Sequence, residues 1–380
     1  MIGYPRHICY VTGTRADFGL MRSTLEAIDC AKATTLSVVV TGMHLSEQFG
    51  LTVNEIESSG FKVSGRIPVD VSVDSGAAMA LNLATVIEGC VRIFGESKPD
   101  LVLLLGDRGE MLAGALAAIH LNIPIAHIHG GERSGTVDEP VRHAISKLSH
   151  FHFAATAAAR ERLIRMGEIA ERIWVSGAPG LDGLREFACM NKSELCQGIG
   201  FDPFLPVALL VYHPVLQEAV TAGAEARHLL QSCLAAGFQV LALMPNSDAG
   251  SAGVRQALNA YSTHDACRIV THLARPQFIS WMKACDLMIG NSSSGIIEAA
   301  TFGTPVINVG IRQNMRERNA NVIDIKTSVD DVEKVLSLAL VKGRYPETNC
   351  YEKDDAAQKI ARLVGLVDLS PSILFKTNAY

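Results

Sequence analysis

The chain has 380 residues, 48% hydrophobic and 19% charged, with a formal net charge of −5. That length suits two domains with substantial cores, and the low charge excludes long disordered tracts. The acidic balance excludes a general nucleic-acid binder, which needs a basic face.

In chain order, Met1–Arg6 has no apolar leader core and runs straight into a strand, so no export signal is expected. His7–Thr12, Leu36–Thr41, Leu101–Gly106, Ile123–Ile128 and Phe151–Ala155 read as strands. Leu20–Asp29, Ala77–Phe94, Gly109–Leu121 and Pro140–Leu148 read as the helices between them. This alternation predicts a doubly wound parallel sheet, and the unbroken run Leu101-Val-Leu-Leu-Leu105 suits a strand covered on both faces. Met111–Ile128 is the most apolar long window, but His120, Asn122, Pro124 and His127 break it. It reads as a core helix, a turn and a strand, not a membrane span.

The pattern then restarts. Val207–Tyr212, Gln239–Met244, Arg268–Val270, Leu287–Ile289 and Val306–Val309 are expected strands, with helices near 216–236, 251–261, 275–284, 294–302 and 329–341. The reading is two Rossmann-like α/β domains, 1–180 and 181–353, with a cleft between them that favours a ligand. Residues 354–380 form a last helix and tail, expected to pack back on the first half. Nine scattered cysteines without a C-x-x-C pair read as reduced, mostly buried thiols of a cytoplasmic protein.

Chemistry-bearing residues follow the strands. Asp107 and Arg108 come after Leu101–Gly106. Glu132 follows His127-Ile-His129-Gly-Gly, and Asp138 and Arg142 come next. Active-site groups in open α/β sheets collect at such strand ends. Three neighbouring carboxyls push one another's pKa values apart, which supplies an acid and a base, with Arg142 and Arg108 to orient them. The plainer alternative is a structural ion-pair cluster. A third reading is a divalent metal held by His127, His129, Glu132 and Asp138, since H-x-H puts both rings on one strand face. No H-E-x-x-H or cysteine-ligand motif accompanies it.

Two turns suit anions. Val11-Thr-Gly-Thr-Arg15 opens a helix whose amino end offers N–H groups, with Arg15 beside it. Gly290-Asn-Ser-Ser-Ser-Gly295-Ile-Ile-Glu298 repeats the logic, with Ser292 and Ser293 at the helix start and Glu298 one turn on. The ordinary explanations are a surface arginine and simple serine capping. Arg312 follows the Val306–Val309 strand. His213 and His44 each end a strand and are candidates for contact with a diphosphate.

These residues resemble the hydrolysing UDP-N-acetylglucosamine 2-epimerases of sialic acid biosynthesis. The resemblance rests on Val11–Gly19, Val40–Leu45, Leu105-Gly-Asp-Arg108, His129–Glu139, Arg142–His150, Tyr212-His-Pro214, Pro245–Ser251, Gly290–Glu298 and Gly303–Gln313, in order over residues 7–320. It implies two Rossmann-like domains in the GT-B arrangement, a homodimer or homotetramer, and no cofactor. It also implies that UDP-N-acetylglucosamine and water give N-acetylmannosamine and UDP through 2-acetamidoglucal. Asp107, Glu132 and Asp138 would be the acid–base group. Arg15 and His213 would meet the phosphates, and Ser292, Ser293 and Glu298 the diphosphate and ribose. His44, Arg108, Arg142, Asn246, Gly295 and Arg312 fall in matching motifs.

A related branch acts on nucleotide-linked N,N′-diacetylbacillosamine and typically carries a Thr-Glu-Gly-type loop after Gly-Gly-Glu. Here Arg133-Ser-Gly-Thr-Val-Asp138 stands instead, which looks more like the sialic acid branch. A GT-B glycosyltransferase, a non-hydrolysing 2-epimerase and a nucleotide-sugar sensor without turnover are the other classes compatible with this fold.

Overall fold

A computed structural model describes residues 4–326 and 329–379; Met1–Gly3, part of the stretch read for a leader, lie outside them. Strands β1 (Arg6–Thr12), β2 (Thr34–Thr41), β3 (Val63–Ile67), β4 (Leu101–Leu105), β5 (Ile125–Ile128), β6 (Phe151–Ala154) and β7 (Ile173–Val175) build a seven-stranded sheet in the order β3-β2-β1-β4-β5-β6-β7. Strands β8 (Val207–Val211), β9 (Gln239–Leu243), β10 (Cys267–Val270), β11 (Leu287–Gly290), β12 (Val306–Val309) and β13 (Val322–Ile325) build a six-stranded sheet in the order β10-β9-β8-β11-β12-β13. The neighbouring strands pair parallel.

The period-two alternation of side chains feeds a core on each face. In the first sheet Ile8, Tyr10, Leu101 and Leu103 join one cluster, and Cys9, Val11, Val102 and Leu104 join the other. Leu209 and Leu210 divide the second sheet in the same way. The terminal helix Ala356–Leu366 returns to the first domain: Ile360, Ala361 and Val364 enter its core, and Arg6 Nη1 donates to the Val364 carbonyl at 2.7 Å.

Several elements differ from the sequence reading. The unpredicted strands β3, β7 and β13 are all sheet edges, short and only partly buried; β3 and β13 are interrupted by polar residues, and β7 has only three residues. The segment 216–236 is a 3-10 turn, Leu216–Glu218, and a separate helix, Ala222–Ala235. The segment 294–302 is likewise a short helix, Ser293–Ile297, followed by a 3-10 turn, Ala299–Phe302. Among the described residues, the helix long and apolar enough to cross a membrane is Gly76–Ser97, not Met111–Ile128. It packs Val86, Cys90 and Phe94 into the first domain's core.

Strand order reverses between β1 and β4 in the first sheet and between β8 and β11 in the second. Loops diverge at such switch points and leave a crevice at the carboxyl ends of the strands. Gly13, Asp107 and Arg108 lie on one pair of diverging loops, with Arg15 opening the helix that follows, and His213, Asn291 and Ser292 lie on the other.

Candidate active site

The acid groups are tied together by arginines. Gly106, at φ 78°, turns the chain out of β4 and presents Asp107. The Asp107 carboxylate pairs with Nη2 of Arg142, a side chain only 1% exposed. Asp138 opens the helix Asp138–Leu148, and Arg142 lies one turn along it. Glu132 is fully buried: Oε1 meets His129 Nδ1 and Oε2 meets Nη1 of Arg316. Arg316 Nη2 also stands 3.8 Å from Asp107 Oδ2, so one guanidinium from the second domain bridges two carboxylates of the first. Arg312, from the same loop, reaches Asp138 Oδ2 at 3.7 Å.

This arrangement changes the expected electrostatics of Glu132. Burial would raise its pKa, but Arg316 and His129 outweigh burial and hold it down to about 2. Arginines, not neighbouring carboxyls, set its protonation. Burial lowers the Arg142 pKa, and the nearby charges of Arg316, Arg312 and Arg162 add to the effect. Arg142 Nε and Nη1, Arg316 Nε and Ser134 Oγ are buried without a hydrogen-bond partner among the described residues. Such unspent donors are costly, and four of them lie in or beside the acid cluster.

Arg108 does not orient the acid trio. It pairs with Glu110 at 3.2 Å and reaches Asp248 of the second domain at 3.5 Å. His213 is anchored by Asn291, whose Oδ1 accepts the His213 N–H and whose Nδ2 donates to its carbonyl, both at 2.7 Å. The Asn246 N–H lies 3.5 Å from His213 Nδ1. Burial, then Arg312, lowers the His213 pKa to about 3, so the ring is neutral at working pH. Ser292 caps its helix by accepting the Ser294 N–H at 3.3 Å, and Ser293 is the first helical residue. A Cβ on Gly295 would meet Val306 Cγ1 at 2.9 Å, so this position is closed by packing. Arg312 Nη1 donates to the Asn291 carbonyl at 3.0 Å, which fastens it beside the serines. Glu298 Oε1 accepts from Arg275 at 2.6 Å.

Three expectations need correction. The amino end of the helix Arg15–Cys30 is filled by its own Asp17: Oδ2 accepts the Gly13 and Thr14 N–H groups, and Thr14 Oγ1 accepts the Asp17 N–H. An anion at this turn would therefore rest on the Arg15 side chain rather than on the Gly13 and Thr14 N–H groups. Arg15 itself is half-buried, its pKa lowered to about 10 by burial. His44 is fully buried between Thr12 Oγ1 at 2.9 Å and Thr52 Oγ1 at 2.8 Å, so both ring nitrogens are taken by threonine hydroxyls. Burial lowers its pKa to about 4. Finally, His127 and His129 do not share a strand face. His127 bonds Ser146 at 3.1 Å and the Gly106 carbonyl at 2.7 Å, whereas His129 has left the strand at φ 64°. Among the described residues, no group of three His, Cys, Asp or Glu side chains is placed to hold a metal ion.

Sequence reasoning missed Arg316, and it gave no role to Asp248 within the Pro245–Ser251 stretch. Arg316 lies three residues beyond the Gly303–Gln313 stretch, in a loop with no strand or cap signal.

The sequence pattern described as UDP-N-acetylglucosamine 2-epimerase matches residues 26–365. The UDP-N,N′-diacetylbacillosamine 2-epimerase (hydrolyzing) of Legionella pneumophila is 48% identical over 375 residues, covering 99% of this chain and 100% of that one. The UDP-N-acetylglucosamine 2-epimerase of Neisseria meningitidis is 30% identical over 363 residues, covering 96% and 95%. A crystal structure of the UDP-GlcNAc 2-epimerase from Neisseria meningitidis bound to UDP-GlcNAc superposes with a TM-score of 0.77 at 18% identity, covering 94% of this chain and 99% of that chain. That likeness shows the two-domain GT-B fold.

Proposed function

The chain belongs to the UDP-N-acetylglucosamine 2-epimerase family, and from that premise we propose that it hydrolyses a UDP-linked 2-acetamido sugar with inversion at C2. UDP-N,N′-diacetylbacillosamine is the substrate this reading favours. The relative named for that reaction is 48% identical, against 30% for the UDP-N-acetylglucosamine 2-epimerase of Neisseria meningitidis. The second reading, UDP-N-acetylglucosamine to N-acetylmannosamine for sialic acid synthesis, is favoured by the Arg133–Asp138 loop.

One observation carries the chemistry. Asp107 and Glu132 are bridged by Arg316 and stand beside Arg142, whose buried donors are unspent. Binding alone requires no such cluster of acids. The C2–H of a sugar is not acidic by itself, so its removal must be coupled to departure of UDP from C1. A base takes the C2 proton, the C1–O bond breaks with its electron pair going to UDP, and a 2-acetamidoglycal forms. Water then adds its hydroxyl to C1 while C2 receives a proton from the opposite face. Arg312, Arg15, His213 and the Ser292–Ser293 turn stabilise the leaving diphosphate. Apposition of the two domains excludes bulk water during the first step.

The purified protein should release UDP from UDP-N,N′-diacetylbacillosamine with kcat/KM at least ~10-fold above that for UDP-N-acetylglucosamine. A faster reaction with UDP-N-acetylglucosamine selects the second reading. A product that still carries UDP contradicts both.

A further inference from the structure

Glu132 is enclosed. It has no exposed surface, and each carboxylate oxygen is taken, one by His129 Nδ1 and the other by Arg316. A proton moving directly between Glu132 and a sugar C2 would need one of these contacts to break. His129 is differently placed. It directly follows β5, beside the β4 end that carries Asp107, and keeps 7% of its surface. Its ring bonds Glu132 through Nδ1 only. Its backbone holds φ 64°, a region that side chains with a Cβ rarely adopt and that costs about 1–3 kcal/mol for a residue other than glycine.

We propose that His129 moves the C2 proton through Nε2, and that Glu132 is its positioning residue rather than the group that meets the sugar. The inference rests on the epimerase reading and specifies which side chain performs its proton step. Glu132 remains ionised because Arg316 and His129 outweigh its burial. An ionised carboxylate accepts the Nδ1–H, which fixes the tautomer and leaves the Nε2 lone pair for the substrate. A carboxylate held at so low a pKa is a weak base, whereas an imidazole is the side chain that most often performs general acid–base catalysis. When Nε2 takes the C2 proton, the C2–H electron pair forms the C1–C2 double bond and the C1–O pair leaves with UDP. The imidazolium so formed is stabilised by Glu132. Arg316 then clamps the carboxylate that orients the histidine, so the second domain completes the proton-transfer unit of the first.

His129→Gly suits the backbone, because glycine adopts a positive φ without strain, and it opens a space the size of an imidazole. Wild type and variant are assayed for UDP release, with and without added imidazole. The variant should lose about 10²-fold or more in kcat with KM changed less than about threefold, and imidazole should restore at least about tenfold of the loss. Near-normal turnover of His129→Gly overturns the inference, and so does a loss that imidazole leaves unchanged while UDP still binds. Glu132→Gln should lower kcat with KM changed less than about threefold; turnover equal to wild type would remove Glu132 from the unit. If wild-type protein releases no UDP from either nucleotide sugar, the epimerase reading itself fails, which is a separate outcome.

Discussion

Gly135 of the first domain packs so closely on Ile311 of the second that a Cβ on Gly135 would stand 1.8 Å from the Ile311 carbonyl oxygen. The Gly135 N–H also donates to the neighbouring Arg312 carbonyl at 3.3 Å. The loop carrying Glu132 and Asp138 thus touches the loop carrying Arg312 and Arg316 at a point with no room for a methyl group. Gly135→Ala should hold the two loops apart. Expected is a loss of about 10²-fold in kcat/KM, the scale of a ~1 Å misplacement, with circular dichroism unchanged. Normal turnover would show that this contact does not assemble the site.

Asp107→Asn removes both an acid group and the counter-charge of a buried guanidinium. Arg142 is 1% exposed and pairs with Asp107. Turnover should fall by about 10²-fold, and denaturant titration should show a loss of roughly 3 kcal/mol, the scale of leaving a buried charge unpaired. A folded variant with near-normal turnover would take Asp107 out of the acid–base group.

Glu298 already shares Oε1 with Arg275, which also donates to the Gly180 carbonyl at 2.9 Å. A ribose hydroxyl bound by Glu298 would be held by a carboxylate fixed in place. Glu298→Gln should therefore weaken UDP binding about tenfold in calorimetry, the scale of one hydrogen bond to a charged group. Unchanged affinity would assign Glu298 to the Arg275 contact alone.

Buried histidines make stability pH-dependent. Burial first, and lesser charge effects, lower the pKa of His44 to about 4 and that of His127 to about 3, from 6.5. The unfolded chain therefore binds more protons than the folded one between these values. Stability is fully present above pH 6.5 and drains as pH falls toward 4, with His44 contributing on the order of 3 kcal/mol. The melting temperature should fall over that window, and His44→Gln should flatten the fall. A flat profile in the wild type would contradict neutral burial of these rings.

Central strands were legible because both faces are covered. Leu101–Leu105 and Val207–Val211 are apolar at every position. The edge strands Val63–Ile67 and Val322–Ile325 were not, because they need only one buried face and carry Gly65, Arg66 and Asp324. The capping box of Asn191 and Glu194 marks a helix start that the sequence reading passed over. At the site, residues that follow strands were found from the sequence, whereas Arg316 was not. Its partners Glu132 and Asp107 are 184 and 209 positions away, and only the meeting of two domains pairs them. The Arg133–Asp138 loop suggested a substrate branch, yet its glycine serves the contact with Ile311. A six-residue loop whose glycine serves domain packing says less about a sugar than identity over the whole chain.

The account's central claim is that side chains of the first domain exchange a proton at C2 while UDP leaves C1. NMR of the released sugar after turnover in D₂O tests this directly. One deuterium at C2, inverted C2 configuration and an equal amount of free UDP are predicted. A released sugar that keeps protium at C2, or keeps the substrate's C2 configuration, would contradict it.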